Sequence, residues 1–166
     1  RCRNCRAKIS FQYPLVELLT GFLFLLSFSI FGNNPLLLTY ILFLISLLIV
    51  IAFIDLNKLI ILDSLVLTGF ITSFLLIFSF QFSDCKIVSC SVSDSLFGLL
   101  FFAGIFLLIL LMSKGRWLGL GDVKLAAWLG FAFGLKGAVD IFYLTFLIGF
   151  IFAIILLSLK KAGLKT

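Results

Sequence analysis

LLLTYILFLISLLIVIAFI, residues 36–54, is the stretch that decides the fold. It contains no charged residue, and as an α-helix rising about 1.5 Å per residue it is long enough to cross roughly 30 Å of hydrocarbon. Similar apolar runs recur along the chain, separated by polar residues, glycine or proline. About six such segments are present, at residues 15–31, 36–54, 59–80, 95–112, 123–135 and 138–159. They predict an all-α fold, a polytopic membrane helix bundle.

The fifth segment differs from the others in length. As a helix, residues 123–135 would span only roughly 20 Å, which is less than the hydrocarbon thickness. We therefore expect this segment to be tilted, to be re-entrant, or to begin inside the membrane edge. Its position matters because Asp122 directly precedes it.

The overall composition agrees with a membrane protein and excludes several enzyme classes. Hydrophobic residues make up 63% of the chain and charged residues 12%, whereas soluble domains are about 25% charged. The chain contains no histidine. Serine–histidine and cysteine–histidine hydrolases are therefore excluded, and so are zinc proteases that use histidine ligands.

The positive charges predict the orientation in the membrane. With six crossings, both termini lie on the same side as the loops near Asp55 and near residues 114–124. All of the thirteen Lys and Arg residues except Lys86 and Lys136 then fall on that side, which the positive-inside rule identifies as cytoplasmic. The net charge of +6 is thus explained by contact with the lipid bilayer. No interleaving of basic and aromatic residues indicates nucleic-acid binding.

The chain has only seven acidic residues, and each one near a span needs a reason, because buried charge is unfavourable in the bilayer. Asp84 and Asp94 are expected in the outer loop, where a carboxylate is solvated. Glu17 and Asp140 are expected near helix starts, where the positive end of the helix dipole favours an acid.

Asp55 and Asp122 are the acids with the strongest functional interpretation. Asp55 directly follows the run that ends at residue 54, at the unfavourable negative end of a helix dipole. A simpler interpretation is that Asp55 only marks the end of the span, together with the polar residues Asn57 and Lys58. Asp122 stands in the sequence GLGD, residues 119–122. Its simpler interpretation is a helix cap, with the glycines shaping the turn.

Taken together, the two aspartates predict a shared chemistry. The topology places both on the cytoplasmic face at similar depth. Two neighbouring carboxylates share a proton, so one can act as general base on water while the protonated one polarises a carbonyl. Two other interpretations stay open. The first is a small transporter or channel subunit with Asp55 and Asp122 as ion or proton sites; the second is a structural assembly subunit.

Two sequence blocks carry a family resemblance. GLGDVK, residues 119–124, resembles the GxGD signature of intramembrane aspartic proteases in the form found in bacterial prepilin peptidases, and the similarity extends over residues 115–130. Asp55 and Asp63 resemble the second aspartate block of that family, D-x(5)-I-P-D. Leu62 stands where the family has proline, a departure that could alter the local turn but leaves both acids in place.

The resemblance implies an enzyme and its site. The activity would be removal of the short basic leader from type IV prepilins or type II secretion pseudopilins, at the cytoplasmic face of the bacterial inner membrane. Proteolysis would need no cofactor, whereas N-methylation of the new N-terminus in the full-length protein would use S-adenosylmethionine. Asp55 and Asp122 would be catalytic. The supporting or substrate-binding residues would be Asp63, Gly119, Gly121 and Lys124.

The cysteine pair at the start of the chain extends the resemblance. Residues 1–17 resemble the second half of the cytoplasmic cysteine domain of this family, with Cys2 and Cys5 in CxxC spacing. Two thiolates make half of a tetrahedral zinc site, so zinc is expected only in the full-length protein. The pair argues against the archaeal preflagellin type, which lacks it.

The remaining expectations concern the outer loop and the chain ends. Cys85 and Cys90 lie in the outer loop, and in an oxidising compartment we predict a structural disulfide between them. Three regions are expected: a basic segment at 1–13, the peptidase domain at 14–159 and a basic tail at 160–166. The resemblance also predicts that the family's N-terminal part and C-terminal end are missing from this chain.

Overall fold

The structure, a computed structural model, describes residues 12–79, 91–116 and 118–158. Within these ranges it contains helices and no strand. Five helices follow one another: α1 Gln12–Phe31, α2 Pro35–Lys58, α3 Asp63–Ser79, α4 Val92–Met112 and α5 Leu120–Ser158. The all-α prediction is therefore confirmed.

The helices have the length and surface of membrane spans. Four of them, α1, α2, α4 and α5, are long and apolar enough to cross a membrane, while α3 is a shorter apolar helix. Large apolar side chains are widely exposed, for example Leu18 at 76% and Phe22 at 61%. Such surfaces are unfavourable in water but suit the hydrocarbon core of a bilayer. The polytopic membrane architecture is confirmed, and the sidedness of the termini stays a prediction.

Helix α5 contains a sharp break that accounts for the short fifth segment. Gly134 has φ 70° and ψ −175°, a left-handed φ that glycine adopts without steric strain. The break divides α5 into a first half, residues 120–133, and a second half that continues to Ser158. These halves correspond to the fifth and sixth predicted segments.

The third predicted segment begins too early. Residues 59–80 were expected to be one span, but α2 runs on to Lys58 and α3 starts at Asp63. The cause is local. Leu59 adopts a left-handed conformation with φ 53° and donates its N–H to the Asp55 carbonyl at 2.7 Å, which closes the end of α2.

The chain divides into two compact units, Arg1–Thr72 and Ser73–Thr166, with the boundary inside α3. In the first unit α1 packs against α2. The start of α2 is set by Pro35 at its first turn and by Asn34, whose side-chain oxygen accepts the Leu37 N–H at 3.5 Å. Both are residues that favour a helix start.

In the second unit α4 packs closely against α5. Gly98 of α4 lies directly against the backbones of Gly130 and Gly134, so that a Cβ at Gly98 would collide with both carbonyl groups. Small residues permit this kind of close approach between helices in membranes. Phe102 continues the contact in a cluster with Ala126 and Ala138.

Asp94 is not a loop residue as predicted. It lies in the first turn of α4, and its Oδ1 accepts the N–H of Leu135 at 3.3 Å. Leu135 directly follows the break at Gly134, where helix geometry leaves backbone N–H groups without the usual carbonyl partner. Asp94 therefore caps the second half of α5 from a neighbouring helix.

Candidate active site

Asp55 lies in the last turn of α2 and is half-buried. Its backbone carbonyl accepts the Leu59 N–H that ends the helix, while the Asn57 side chain donates to the Phe53 carbonyl at 2.7 Å. The carboxylate thus stands at the negative end of the α2 dipole, as the sequence predicted. The bond from Asn57 stabilises the end of the helix and does not involve the Asp55 carboxylate. A role at the end of the span therefore accounts for Asn57 but leaves the carboxylate of Asp55 unexplained.

The connection between α2 and α3 lacks the family's proline but still leads into a helix that starts at Asp63. The Leu62 carbonyl accepts N–H groups from Leu65 at 3.1 Å and Val66 at 3.4 Å, and so begins α3. Asp63 is the first residue of that helix and is exposed, where an acid is favoured by the helix dipole. Leucine at position 62 therefore still permits a helix start that presents Asp63.

Asp122 is in the first turn of α5 and is half-buried. Its Oδ2 accepts the Gly119 N–H at 3.0 Å, and its own N–H donates to the Gly119 carbonyl at 3.2 Å. This reciprocal pair resembles a capping box, in which an acid three residues into the helix satisfies the capping residue's N–H. Asp122 is thus held in position through one of its two carboxylate oxygens, Oδ2.

Gly119 is not required by the packing around it. A Cβ at this position would lie 3.7 Å from Asp122 Oδ2 and 3.9 Å from the Gly121 nitrogen, both ordinary van der Waals contacts. The fold alone would therefore accept alanine here. The bare backbone next to the Asp122 carboxylate leaves space on that side of the site.

A groove opens beside this glycine, with a volume of about 610 Å³. It lies between the end of α4 and the start of α5, where Ser113, Lys114 and Gly115 form the turn that ends α4. The Gly115 N–H donates to the Leu110 carbonyl at 3.0 Å, and Gly115 has φ 73°. The lining residues are Leu110, Leu111, Lys114, Gly115, Leu118, Gly119 and Leu120.

Most of this lining was missed from the sequence. Lys114 and Gly115 follow an apolar run, which is a recognisable signal for a helix end, but it gives no information about a groove. Leu118 and Leu120 look like ordinary apolar residues of the GxGD block. Only the chain reversal between α4 and α5 brings them onto one wall.

A buried polar contact fixes the first half of α5. The Trp128 indole N–H donates to Ser73 Oγ of α3 at 3.1 Å, and both side chains are almost fully buried. In an apolar surrounding such a bond satisfies the indole N–H donor. It ties the helix that carries Asp122 to the second half of α3.

The predicted site residues are distributed over both units. Asp55 and Asp63 belong to the first, while Gly119, Gly121 and Asp122 belong to the second, with Lys124 exposed on the first turns of α5. The pairing of Asp55 with Asp122 therefore stays a prediction. The described residues contain no group of three or more His, Cys, Asp or Glu side chains that could hold a metal ion. The predicted zinc ligands and disulfide lie outside the described residues, at Cys2, Cys5, Cys85 and Cys90.

Comparison with known proteins identifies relatives over the whole chain. Three are named prepilin leader peptidase/N-methyltransferase: one from Myxococcus xanthus, 33% identical over 100% of this chain and 49% of its own length; one from Bacillus subtilis, 32% identical over 90% and 56%; and one from Aeromonas salmonicida, 32% identical over 97% and 54%. The chain therefore spans about half the length of the curated relatives it matches. No solved structure gives a significant match.

The family comparison covers both blocks that contain the candidate aspartates. Residues 1–31 match the bacterial peptidase A24 N-terminal domain. Residues 42–155, which include Asp55 and Asp122, match the type IV leader peptidase family. The chain belongs to the type IV leader peptidase family.

Proposed function

We propose that this chain is the membrane part of an aspartic endopeptidase that removes the short basic leader from type IV prepilins or type II secretion pseudopilins. The observation that carries the proposal is the Asp122 carboxylate, held through one oxygen by the Gly119 N–H at the start of α5. The family match and the names of the relatives support this function. Asp55 is the proposed catalytic partner. The proposed supporting or substrate-binding residues are Asp63, Gly119, Gly121 and Lys124.

The proposed chemistry needs only the two carboxyl groups and water. The ionised carboxylate takes a proton from water, whose oxygen attacks the scissile carbonyl carbon, while the protonated carboxyl donates to the carbonyl oxygen. The tetrahedral intermediate then collapses, the C–N bond breaks, and the leaving amine takes a proton from the pair. Holding Asp122 through Oδ2 would leave Oδ1 for this proton transfer.

The membrane setting of the proposed enzyme follows from charge and helix ends. Lys58 follows Asp55 at the end of α2, and Lys114, Arg116 and Lys124 lie between the end of α4 and the first turns of α5, close to Asp122 in the sequence. By the positive-inside rule these helix ends lie at the cytoplasmic face of the bacterial inner membrane. A substrate with an apolar helix would dock laterally within the bilayer and present the bond beside its basic leader at the membrane edge.

Cofactors are proposed only for the full-length protein. The relatives' names include N-methyltransferase, so we propose that the full-length protein also methylates the new N-terminus with S-adenosylmethionine. Cys2 and Cys5 would supply two thiolates of a zinc site in the full-length protein. The proposed proteolytic step itself uses neither group.

The function is tested with the full-length protein in liposomes and a synthetic prepilin as substrate. We expect Asp55→Asn and Asp122→Asn each to lower kcat/KM by at least about 1,000-fold, equivalent to roughly 4 kcal/mol of transition-state stabilisation. An asparagine at position 122 would still offer an oxygen to the Gly119 N–H, so the helix start should persist. Asp140→Asn, on the exposed side of α5, is the matched control and should cut normally. If both aspartate variants still cleave the prepilin, the proposed protease function of Asp55 and Asp122 is wrong. A role of the two acids in an ion pathway is then the next hypothesis.

A further inference from the structure

The groove between α4 and α5 has a composition suited to an apolar guest. Four leucines, at positions 110, 111, 118 and 120, form most of its wall, and Lys114 is the one charged side chain among the described residues that line it. Two glycines, Gly115 and Gly119, complete the lining and present backbone without side chains. A pocket of this kind favours aliphatic or aromatic side chains through apolar burial.

The groove is continuous with the candidate active site. Gly119 lines it, and the N–H of the same residue holds Asp122 Oδ2 at 3.0 Å. If a peptide bond of a substrate lies at Asp122, a substrate side chain in the groove therefore belongs to a residue one or two positions from that bond. Since a methyl group at Gly119 would meet nothing closer than 3.7 Å, the groove has free space on the side that faces the carboxylate.

The charge of the groove indicates which part of a substrate it accepts. Lys114 at its edge and the exposed Arg116 nearby repel a basic segment. The leader of the proposed substrate is basic, whereas the substrate helix that would dock in the bilayer after the scissile bond is apolar. The apolar part of the substrate would be attracted by the four leucines and would not be repelled by Lys114. The basic leader would be repelled.

We propose that this groove is the subsite for the first apolar side chains that follow the scissile bond. The inference rests on the proposed function and adds to it a position for the substrate: the residues after the bond lie against α4 and the start of α5, and the leader points away from Lys114. Leu118 is the specificity-determining residue of this subsite because it is half-buried in the wall directly before Gly119.

The first test narrows the groove and compares two substrates. Full-length Leu118→Phe is assayed on a prepilin with phenylalanine directly after the scissile bond and on one with alanine there. We expect KM to rise about 10-fold for the phenylalanine substrate and much less for the alanine substrate, because pocket discrimination by a few methylene groups is of this order. Leu108→Phe, on the exposed surface of α4 outside the groove, should change neither value.

The results separate the subsite from the function itself. If the unsubstituted protein cuts neither prepilin, the proposed function fails. If it cuts both, and Leu118→Phe changes KM equally for the two substrates, the function stands and the subsite assignment is wrong.

A second measurement does not depend on how the phenylalanine variant folds. A photo-crosslinking amino acid at position 118 should attach to the apolar side of the prepilin within the first few residues after the bond, and the same group at position 108 should not. Attachment to the basic leader, or to phospholipid alone in the presence of excess prepilin, would overturn the assignment.

Discussion

Glycines occur in two regions of the second unit for different physical reasons. Where α4 crosses α5, a Cβ at Gly98 would collide with the carbonyl groups of Gly130 and Gly134, so the packing itself demands glycine. Beside Asp122, a Cβ at Gly119 meets only ordinary contacts. The crossing of α4 and α5 has no room for a side chain at Gly98, whereas the surroundings of Gly119 have room for one. Because the resting fold does not need glycine at position 119, and because this residue holds the Asp122 carboxylate, we expect the open side of Gly119 to receive substrate.

The largest effect on stability is expected at the crossing. Gly98→Ala forces a methyl group into backbone atoms that cannot rotate away, so we expect a loss of roughly 1–3 kcal/mol of stability, the range for overpacked cores. Thermal unfolding in detergent, followed by circular dichroism, measures this loss as a lower midpoint.

Gly104→Ala in the same helix is the matched control. A Cβ at Gly104 meets nothing within 4 Å, and alanine in a helix is favoured over glycine by about 0.5–1 kcal/mol. Its midpoint should be equal or higher. Equal midpoints for Gly98→Ala and Gly104→Ala would show that the two helices do not approach as closely as described.

Gly119→Ala should give the opposite result. Its unfolding midpoint should stay within experimental error of the parent, because the added methyl fits the resting fold. We expect kcat/KM for prepilin cleavage to fall by roughly 10- to 100-fold, since small misplacements near reacting groups have effects of this size. A variant that cuts normally would remove the argument that the open side of the site receives substrate.

The helices and the candidate acids could be predicted from sequence because they depend on local patterns. Apolar length indicates a span, and GLGD at residues 119–122 precedes one. The positions of the segments on either side of Gly134 were correct for the same reason. The beginning of α3 was wrong because Leu59 ends α2 with a left-handed φ, a conformation that leucine rarely adopts and that no pattern indicates.

The contacts between helices could not be predicted because they depend on which faces meet. Asp94 looked like a solvated loop acid, yet it caps Leu135 across the α4–α5 contact. Ser73 and Trp128 each looked like an ordinary residue of a span. The two residues are 55 positions apart in the sequence, so their hydrogen bond is evident only from the structure.

Removing the hydrogen bond between Trp128 and Ser73 should have the smallest effect of these changes on stability. The experiment tests whether this polar contact stabilises α5 in addition to its close packing. Trp128→Phe keeps a large aromatic ring but removes the donor to Ser73 Oγ. We expect a loss of about 0.6 kcal/mol of stability, rising to at most roughly 1.7 kcal/mol, the range for side-chain hydrogen bonds between membrane helices. A double-mutant cycle with Ser73→Ala isolates the pair from the change in ring volume. If the two substitutions are additive, the contact contributes nothing of its own, and the position of α5 would rest on its packing against α4. A coupling of the expected size would mean that the helix carrying Asp122 is held at both places, by close backbone packing at Gly98 and by a buried polar bond at Trp128.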